Sequence, residues 1–256
     1  MKHLNFYKYQ GAGNDFILFD AREGFPEVST ATIARWCDRH FGIGADGVML
    51  LESPKEPGDH FYMKYFNSDG NQSTMCGNGG RCIAKFAYDQ GICRDEAKFH
   101  AIDGAHWAKI AGSEVTLGMI DAPEVVDRHQ GQFVNTGSPH HVEQRDFTSD
   151  FVEIARRKRN EYGSEGSNIN HVEIKGAQSL AIRTFERGVE DETLACGTGA
   201  VAAAMVAVAQ GWIPAPPVKV KALGGELEVG FEGLGPFENV WLKGPAQFVF
   251  KGTIAL

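Results

Sequence analysis

One short pattern occurs twice in this chain. Cys76-Gly77-Asn78-Gly79 and Cys196-Gly197-Thr198-Gly199 each place a cysteine before a Gly-x-Gly turn, 120 positions apart in 256 residues. Each turn runs into a helical stretch, over residues 81–88 in the first case and 200–209 in the second. A turn of this kind recurring once in each half constrains the chain to a duplicated unit, with two matched thiols facing one site. The length accommodates two domains of ordinary size. Thirty-one glycines predict many tight turns and a strand-rich fold.

Between these turns the pattern is mostly alternating. Residues 4–9 and 17–20 read as strands joined through Gly11 and Gly13, with Asn14 and Asp15 as a turn-stabilising pair. Ser29 caps a helix expected to run to His40, with Ile33, Trp36, Cys37 and His40 or Phe41 on its buried face and Gly42 as its stop. Gly42-Ile43-Gly44-Ala45-Asp46-Gly47 has the letters of a dinucleotide loop. A helix precedes it and a strand follows, the reverse of the context that chemistry needs. Residues 61–66 form a strand ending in the turn Asn67-Ser68-Asp69-Gly70, and 99–116 read as hairpins turning at Asp103-Gly104. Asp121-Ala122-Pro123 reads as the linker into the second half. There, Asp150 and Glu153 suggest a capping box on a short basic helix. The helix over 200–209 lacks charge on every face and is expected to be buried all round, threaded through a cage of strands. Residues 218–256 read as four strands with turns at Gly224-Gly225, Gly233 to Pro236 and Gly244-Pro245.

Composition excludes several functions. A net charge of −8 with no long basic run argues against nucleic acid as the main partner. No apolar stretch reaches the ~18–20 residues of a membrane span, and MKHLNFYKYQ has no signal-peptide core. Five cysteines, an odd number without framework spacing, fit a reducing, cytoplasmic setting. Cys37, Cys82 and Cys93 read as packed thiols. Cys76, Cys82 and Cys93 match no common zinc spacing, so no metal is expected. His140 and His141 are adjacent on a strand and point to opposite faces, so at most one enters a given pocket.

A thiol at a helix start sits beside unsatisfied N–H groups and the positive end of the dipole, and both lower its pKa toward working pH. The same N–H groups bind a carboxylate. With two such sites opposed, the carbon next to that carboxylate has a sulfur on each side. One thiolate then removes the α-proton from one face and the other thiol delivers a proton to the opposite face, inverting the stereocentre. No cofactor is required.

The segments GAGNDF (Asn14), FNSDG (Asn67), MCGNGGRC, Ser167-Asn168, Glu186-Arg187-Gly188 and ACGTGA resemble, in this order and across the whole chain, those of the diaminopimelate epimerase family. The resemblance implies an α+β fold of two similar domains related by a pseudo-two-fold, each a β-barrel-like sheet around a central helix. Residues 1–118 with 246–256 would carry Cys76, and residues 119–245 would carry Cys196. It implies a pyridoxal-independent enzyme interconverting LL- and meso-2,6-diaminopimelate in lysine and cell-wall synthesis, usually as a homodimer. By analogy Cys76 and Cys196 are the acid/base pair, and Gly77, Asn78, Gly197 and Thr198 supply N–H groups to the reacting carboxylate. Asn67, Asn168 and Arg187 hold the distal carboxylate and Glu186 the distal amino group. His140 and Glu186 sit beside the thiols, and Asn14 lines the pocket. Gly47 stands where many members carry a Gln, and Ser138 where they carry an Asn. The segment from Arg187 to Cys196 is one residue longer than in those members. Two other readings compete: a two-cysteine proline or hydroxyproline racemase, in which Glu186 and Arg187 would have no distal group to bind, and a non-catalytic binding protein of the same fold.

Overall fold

Ala12 and Gly13, with φ of 53° and 83°, make the two-residue turn between the first two strands, β1 (His3–Gly11) and β2 (Asn14–Asp20). Left-handed backbone at both positions matches the twist of an antiparallel hairpin. The structure is a computed structural model describing residues 3–256; Met1 and Lys2, part of the N-terminal stretch read above, lie outside the described residues. The chain divides into two units, Met1–Leu117 with Gly244–Leu256, and Gly118–Lys243.

In the first unit, Ser29 Oγ accepts the Thr32 N–H at 3.1 Å and starts α1 (Thr30–Cys37). The helix ends three residues earlier than expected. The Asp38 carboxylate accepts the N–H groups of His40 and Phe41, both at 2.7 Å, and turns the chain outward. Phe41 is therefore 78% exposed, whereas Ile33, Trp36 and Cys37 are buried. A Cβ at Gly42 would lie 1.9 Å from the Arg35 carbonyl, so the loop can close on α1 only through glycine. β3 (Gly47–Glu52) runs parallel to β2, and β4 (Phe61–Asn67) antiparallel to β3. A short strand, β5 (Gln72–Ser73), precedes α2 (Gly77–Asp89). β6 (Glu96–Ala101) returns parallel to β4, and β7 (Gly104–Ala111) and β8 (Glu114–Gly118) follow as hairpins. The β6–β7 loop is Ile102-Asp103, one residue before the turn expected at Asp103-Gly104. The sheet wraps α2, whose Cys82, Ile83, Phe86 and Ala87 are fully buried.

The second unit repeats this plan. β9 (Val126–Arg128), β10 (Gly131–Asn135) and β11 (Pro139–Gln144) lead into α3 (Phe151–Asn160). β12 (Asn168–Gly176), β13 (Ser179–Glu186) and β14 (Asp191–Thr193) precede α4 (Gly197–Ala209). β15 (Val218–Ala222), β16 (Gly225–Glu232) and β17 (Glu238–Pro245) complete it. Pairings from β10 to β17 are antiparallel, parallel, antiparallel, parallel, antiparallel and antiparallel, the order found from β1 to β8. Each core helix follows a short strand that pairs with the fourth main strand. α4 is fully buried from Ala200 to Ala207, and Gly211, with φ of 70°, ends it.

Three further local expectations fail. Asp150 does cap α3 by position, but its side chain makes no cap hydrogen bond; the carboxylate is held by the Thr148 hydroxyl, and Glu153 pairs with Arg157 at 2.7 Å. Asp121-Ala122-Pro123 is not a free linker, because Ala122 bridges to Phe237 and is buried within the second unit. Gly244-Pro245 is not a turn either. It belongs to β17, and the chain passes through Ala246 into β18 (Gln247–Ala255), which pairs with β1.

Candidate functional site

Each repeated turn places its cysteine at the N-cap of a buried helix. Cys76 is extended (φ −104°, ψ 147°), its Sγ accepts the Gly79 N–H at 3.2 Å, and its carbonyl accepts the Gly80 N–H at 2.8 Å. The sulfur thus sits where helix-start donors and the dipole favour a thiolate. A Cβ at Gly80 would meet Leu117 at 2.7 Å, so this glycine serves close packing of α2.

Behind Cys76 lies a polar chain. Asn78 Nδ2 donates to Asn14 Oδ1 at 3.2 Å, and Asn14 Nδ2 donates to Asp46 Oδ2 at 2.5 Å. Arg39 bridges Asp46 and Asp15, both at 2.8 Å, and Lys8 pairs with Asp15 at 2.7 Å. Burial works to raise the Asp15 carboxyl, but hydrogen bonds from Arg39 and Lys8 outweigh it and hold the group at about 2. Asn14 and Asp15 are therefore anchored to the loop after α1 rather than to their own turn. Arg81, absent from the sequence-derived set, is fully buried and donates to Asn78 Oδ1 at 2.8 Å and to the Gly77 carbonyl at 3.3 Å. Asn67 stands at the exposed end of β4, opposite Gly47 in the ladder. A Cβ at Gly47 would meet the Phe66 carbonyl and the Tyr65 ring at 2.6 Å, so no side chain fits here unless β4 shifts.

The second unit surrounds Cys196 differently. Cys196 is the N-cap of α4, and its Sγ lies 3.5 Å from Thr198 Oγ1. His140 Nε2 lies 2.9 Å from the same hydroxyl, and the Thr136 hydroxyl holds the Thr198 carbonyl at 2.9 Å. His140 is fully buried; burial, reinforced by Arg187, pushes it down to about 3, so it is neutral at working pH. Asn168 donates to Ser138 Oγ at 2.8 Å and to the Pro139 carbonyl at 3.0 Å, while its Oδ1 accepts the Arg187 N–H at 2.9 Å. Both of its amide protons are engaged, so Asn168 clamps the Ser138 loop to the Arg187 turn. The Arg187 side chain is exposed and donates to the Glu165 carbonyl at 2.9 Å. Glu186 is half-buried at the end of β13, and Gly197 is buried in the first turn of α4.

The other thiols are packed away. Burial raises Cys37 and Cys82 to about 12 and Cys93 to about 11. Cys76 and Cys196 are the half-buried pair. Among the described residues, no cluster of three or more His, Cys, Asp or Glu is grouped to hold a metal ion. His141 points away from His140, as strand alternation requires, to Tyr162 at 2.8 Å and Glu143 at 2.7 Å.

His171 is buried on β12 with neither ring nitrogen hydrogen-bonded, and burial pushes it down to about 4. Between its ordinary value near ~6.5 and that lowered value the unfolded chain binds a proton that the folded chain refuses, so stability falls as pH falls through this window. Replacing His171 by leucine should restore about 2 kcal/mol at pH 5 relative to pH 7. Denaturant midpoints of His171→Leu and the parent at both pH values check it; parallel losses would contradict it.

Two strand cages, each closed around a helix that begins at a partly exposed cysteine, define the duplicated α+β fold shared with proline racemase-like and PhzF-like proteins. A phenazine biosynthesis protein of the PhzF family from Bacillus anthracis superposes with a TM-score of 0.76 at 13% identity, covering 100% of both chains. A probable proline racemase from Agrobacterium radiobacter gives 0.71 at 15% identity, covering 99% of this chain and 93% of that one. Within that fold, the chain belongs to the diaminopimelate epimerase family, a family of isomerases. The family model for diaminopimelate epimerase matches residues 6–122 and again 132–249. A diaminopimelate epimerase of Flavobacterium psychrophilum is 48% identical over 98% of this chain and 100% of its own length. That of Chlorobaculum tepidum is 42% identical over 96% and 99%.

Proposed function

We propose that this chain interconverts LL- and meso-2,6-diaminopimelate by a two-base mechanism in which Cys76 and Cys196 act on opposite faces of one α-carbon. The observation that carries this reading is the matched placement of the two half-buried thiols as N-caps of buried helices. In each direction one thiolate takes the α-proton and becomes a thiol. The charge left on carbon spreads into the adjoining carboxylate, where N–H groups of Gly77, Asn78, Gly197 and Thr198 stabilise it. The opposite thiol then gives its proton to the other face and becomes the thiolate. Atoms and charge balance without a cofactor.

At the far end of the substrate, Arg187 and Asn67 bind the second carboxylate and Glu186 the second ammonium. Asn168 contributes by fixing the Arg187 turn. These contacts distinguish diaminopimelate from a cyclic imino acid, which has no second amino-acid head. The same reading assigns the enzyme to the cytoplasmic synthesis of lysine and peptidoglycan precursors, in keeping with five cysteines of which three are buried and none is paired in a disulfide. It takes the protein as a homodimer, supported by β18, where consecutive Phe248, Val249 and Phe250 are each 43% or more exposed. The test is α-proton exchange in heavy water. Deuterium should enter LL-diaminopimelate and leave L-proline unlabelled; labelling of proline alone would replace this reading with the racemase one, and labelling of neither would leave a binding protein.

A further inference from the structure

The duplicated topology allows position-by-position comparison of what lies beneath each cysteine. In the first unit Leu18, Met49, Tyr65 and Ser73 pair in turn across β2, β3, β4 and β5. In the second, Val142, Asn170, Thr184 and Thr193 pair across β11, β12, β13 and β14. Met49 therefore corresponds to Asn170, Tyr65 to Thr184, and Phe16, two residues before Leu18, to His140. The helix starts agree: a Cβ at Gly79 would meet Met49 at 3.3 Å, and one at Gly199 would meet Asn170 Oδ1 at 2.8 Å. Under Cys76 the positions of His140 and Asn170 are taken by Phe16 and Met49, which have no proton to donate, while Tyr65 at the position of Thr184 keeps a hydroxyl. Under Cys196 the same positions are polar and fully buried.

Hydrogen-bond logic fixes the amide and ring protons of that polar floor. Asn170 Nδ2 lies 2.9 Å from the His141 carbonyl, which can only accept, so the amide nitrogen must face that way. The same nitrogen lies 3.1 Å from His140 Nδ1, so Nδ1 accepts and the ring proton resides on Nε2. That proton points to Thr198 Oγ1 at 2.9 Å. The threonine hydroxyl accepts from this side, and when Cys196 is a thiolate, which has no proton of its own, the hydroxyl proton is the one available to the 3.5 Å contact with Sγ. Behind Asn170, the Thr184 hydroxyl donates to Oδ1 at 2.9 Å and holds the amide in place.

We propose that Asn170 is a positioning residue for Cys196: through His140 and Thr198 it aims a hydroxyl proton at the sulfur, a relay that Met49 and Phe16, the equivalents of Asn170 and His140 under Cys76, cannot reproduce. The proposal rests on the two-thiol reading but is tested independently of turnover. Arg187, just past β13, is the charged group that acts on His140; the strands beside Asn170 also carry Glu186 at the end of β13 and Asp191 and Glu192 on β14, with Glu192 paired to Arg183 at 2.6 Å. The remaining members are uncharged.

The experiment follows iodoacetamide alkylation of Cys196 and Cys76 against pH in the full chain, resolved by peptide mass spectrometry. In Thr198→Val and in Asn170→Ala the Cys196 inflection should move up by about one unit, because a hydrogen bond to the anion is lost. The Cys76 inflection should stay in place. The double variant should shift Cys196 no further than either single one, since both break the same relay. Thr184→Val, which keeps shape, should move it in the same direction by less. An unmoved Cys196 inflection in Thr198→Val overturns the proposal, even if Asn170→Ala fails to fold. Equal shifts at both cysteines would mark a structural effect and also overturn it. If instead Cys196→Ala keeps full epimerase turnover, it is the two-thiol reading that falls, whatever the alkylation profiles show.

Discussion

Cys76→Ala and Cys196→Ala should each lower epimerase turnover by about three orders of magnitude or more, within the range that general acid–base groups contribute. Inversion needs a proton removed on one face and supplied on the other, so neither thiol can stand in for its partner. Serine should be nearly as damaging at either position, because a hydroxyl at the same helix start remains protonated at working pH. Stability should change little at Cys196, where Sγ makes no cap bond to the helix backbone. At Cys76 the lost Gly79 N–H bond should cost roughly 1 kcal/mol. Coupled measurement of kcat in both directions, with thermal midpoints as the control, checks this. Turnover within tenfold of the parent in either folded variant would refute the two-base scheme.

Much of the architecture could be read directly because the signals were local. Gly91 and Gly211, both at positive φ, end the two core helices where the sequence places stops. The charge-free run from Ala200 to Ala207 is buried on every face, as its composition demands. What escaped was decided by competition between neighbours. Asp38 drew two backbone N–H groups and cut α1 short. Thr148 took the Asp150 carboxylate that a capping box would have used. Strands of two or three residues, β5 and β14, carry too few positions for alternation to show, although they lead the chain into the two core helices.

At the candidate site the legible part was the part written as a motif. The cysteines and their glycines announce themselves because a helix start needs small residues and an extended cap. Asn170 and Thr184 lie on strands whose alternation marks them only as inward-facing, and a buried polar residue on a strand has no spacing rule that reveals its partner. Their relation to His140 emerges once β11, β12 and β13 are in register. Asn168 shows the converse: its motif pointed to the distal carboxylate and gave no sign that its amide also ties Ser138 and Pro139 to the Arg187 turn.

Arg81 lies inside the first cysteine motif yet reads in sequence as an ordinary helix cation, and its removal should produce the largest loss of stability. Its guanidinium is fully buried, donating to the Gly77 carbonyl, to Asn78 Oδ1 and, at 3.5 Å, to the Pro245 carbonyl. Burial lowers its pKa, opposed by the nearby Cys82 and Cys76 thiols, so the cation is held at a cost by the acceptors around it. Alanine here would leave a void and strand those acceptors, costing roughly 3–5 kcal/mol. It would also take from Asn78 the guanidinium that its Oδ1 accepts, and so loosen the helix start at Cys76. Arg81→Lys should fall between, since an ammonium keeps the charge but cannot span three acceptors in a fixed fork. Denaturant unfolding checks the order parent, lysine, alanine. An alanine variant within about 1 kcal/mol of the parent, with Cys76 alkylation unaltered, would mean that this buried cation supports neither the fold nor the thiol it adjoins.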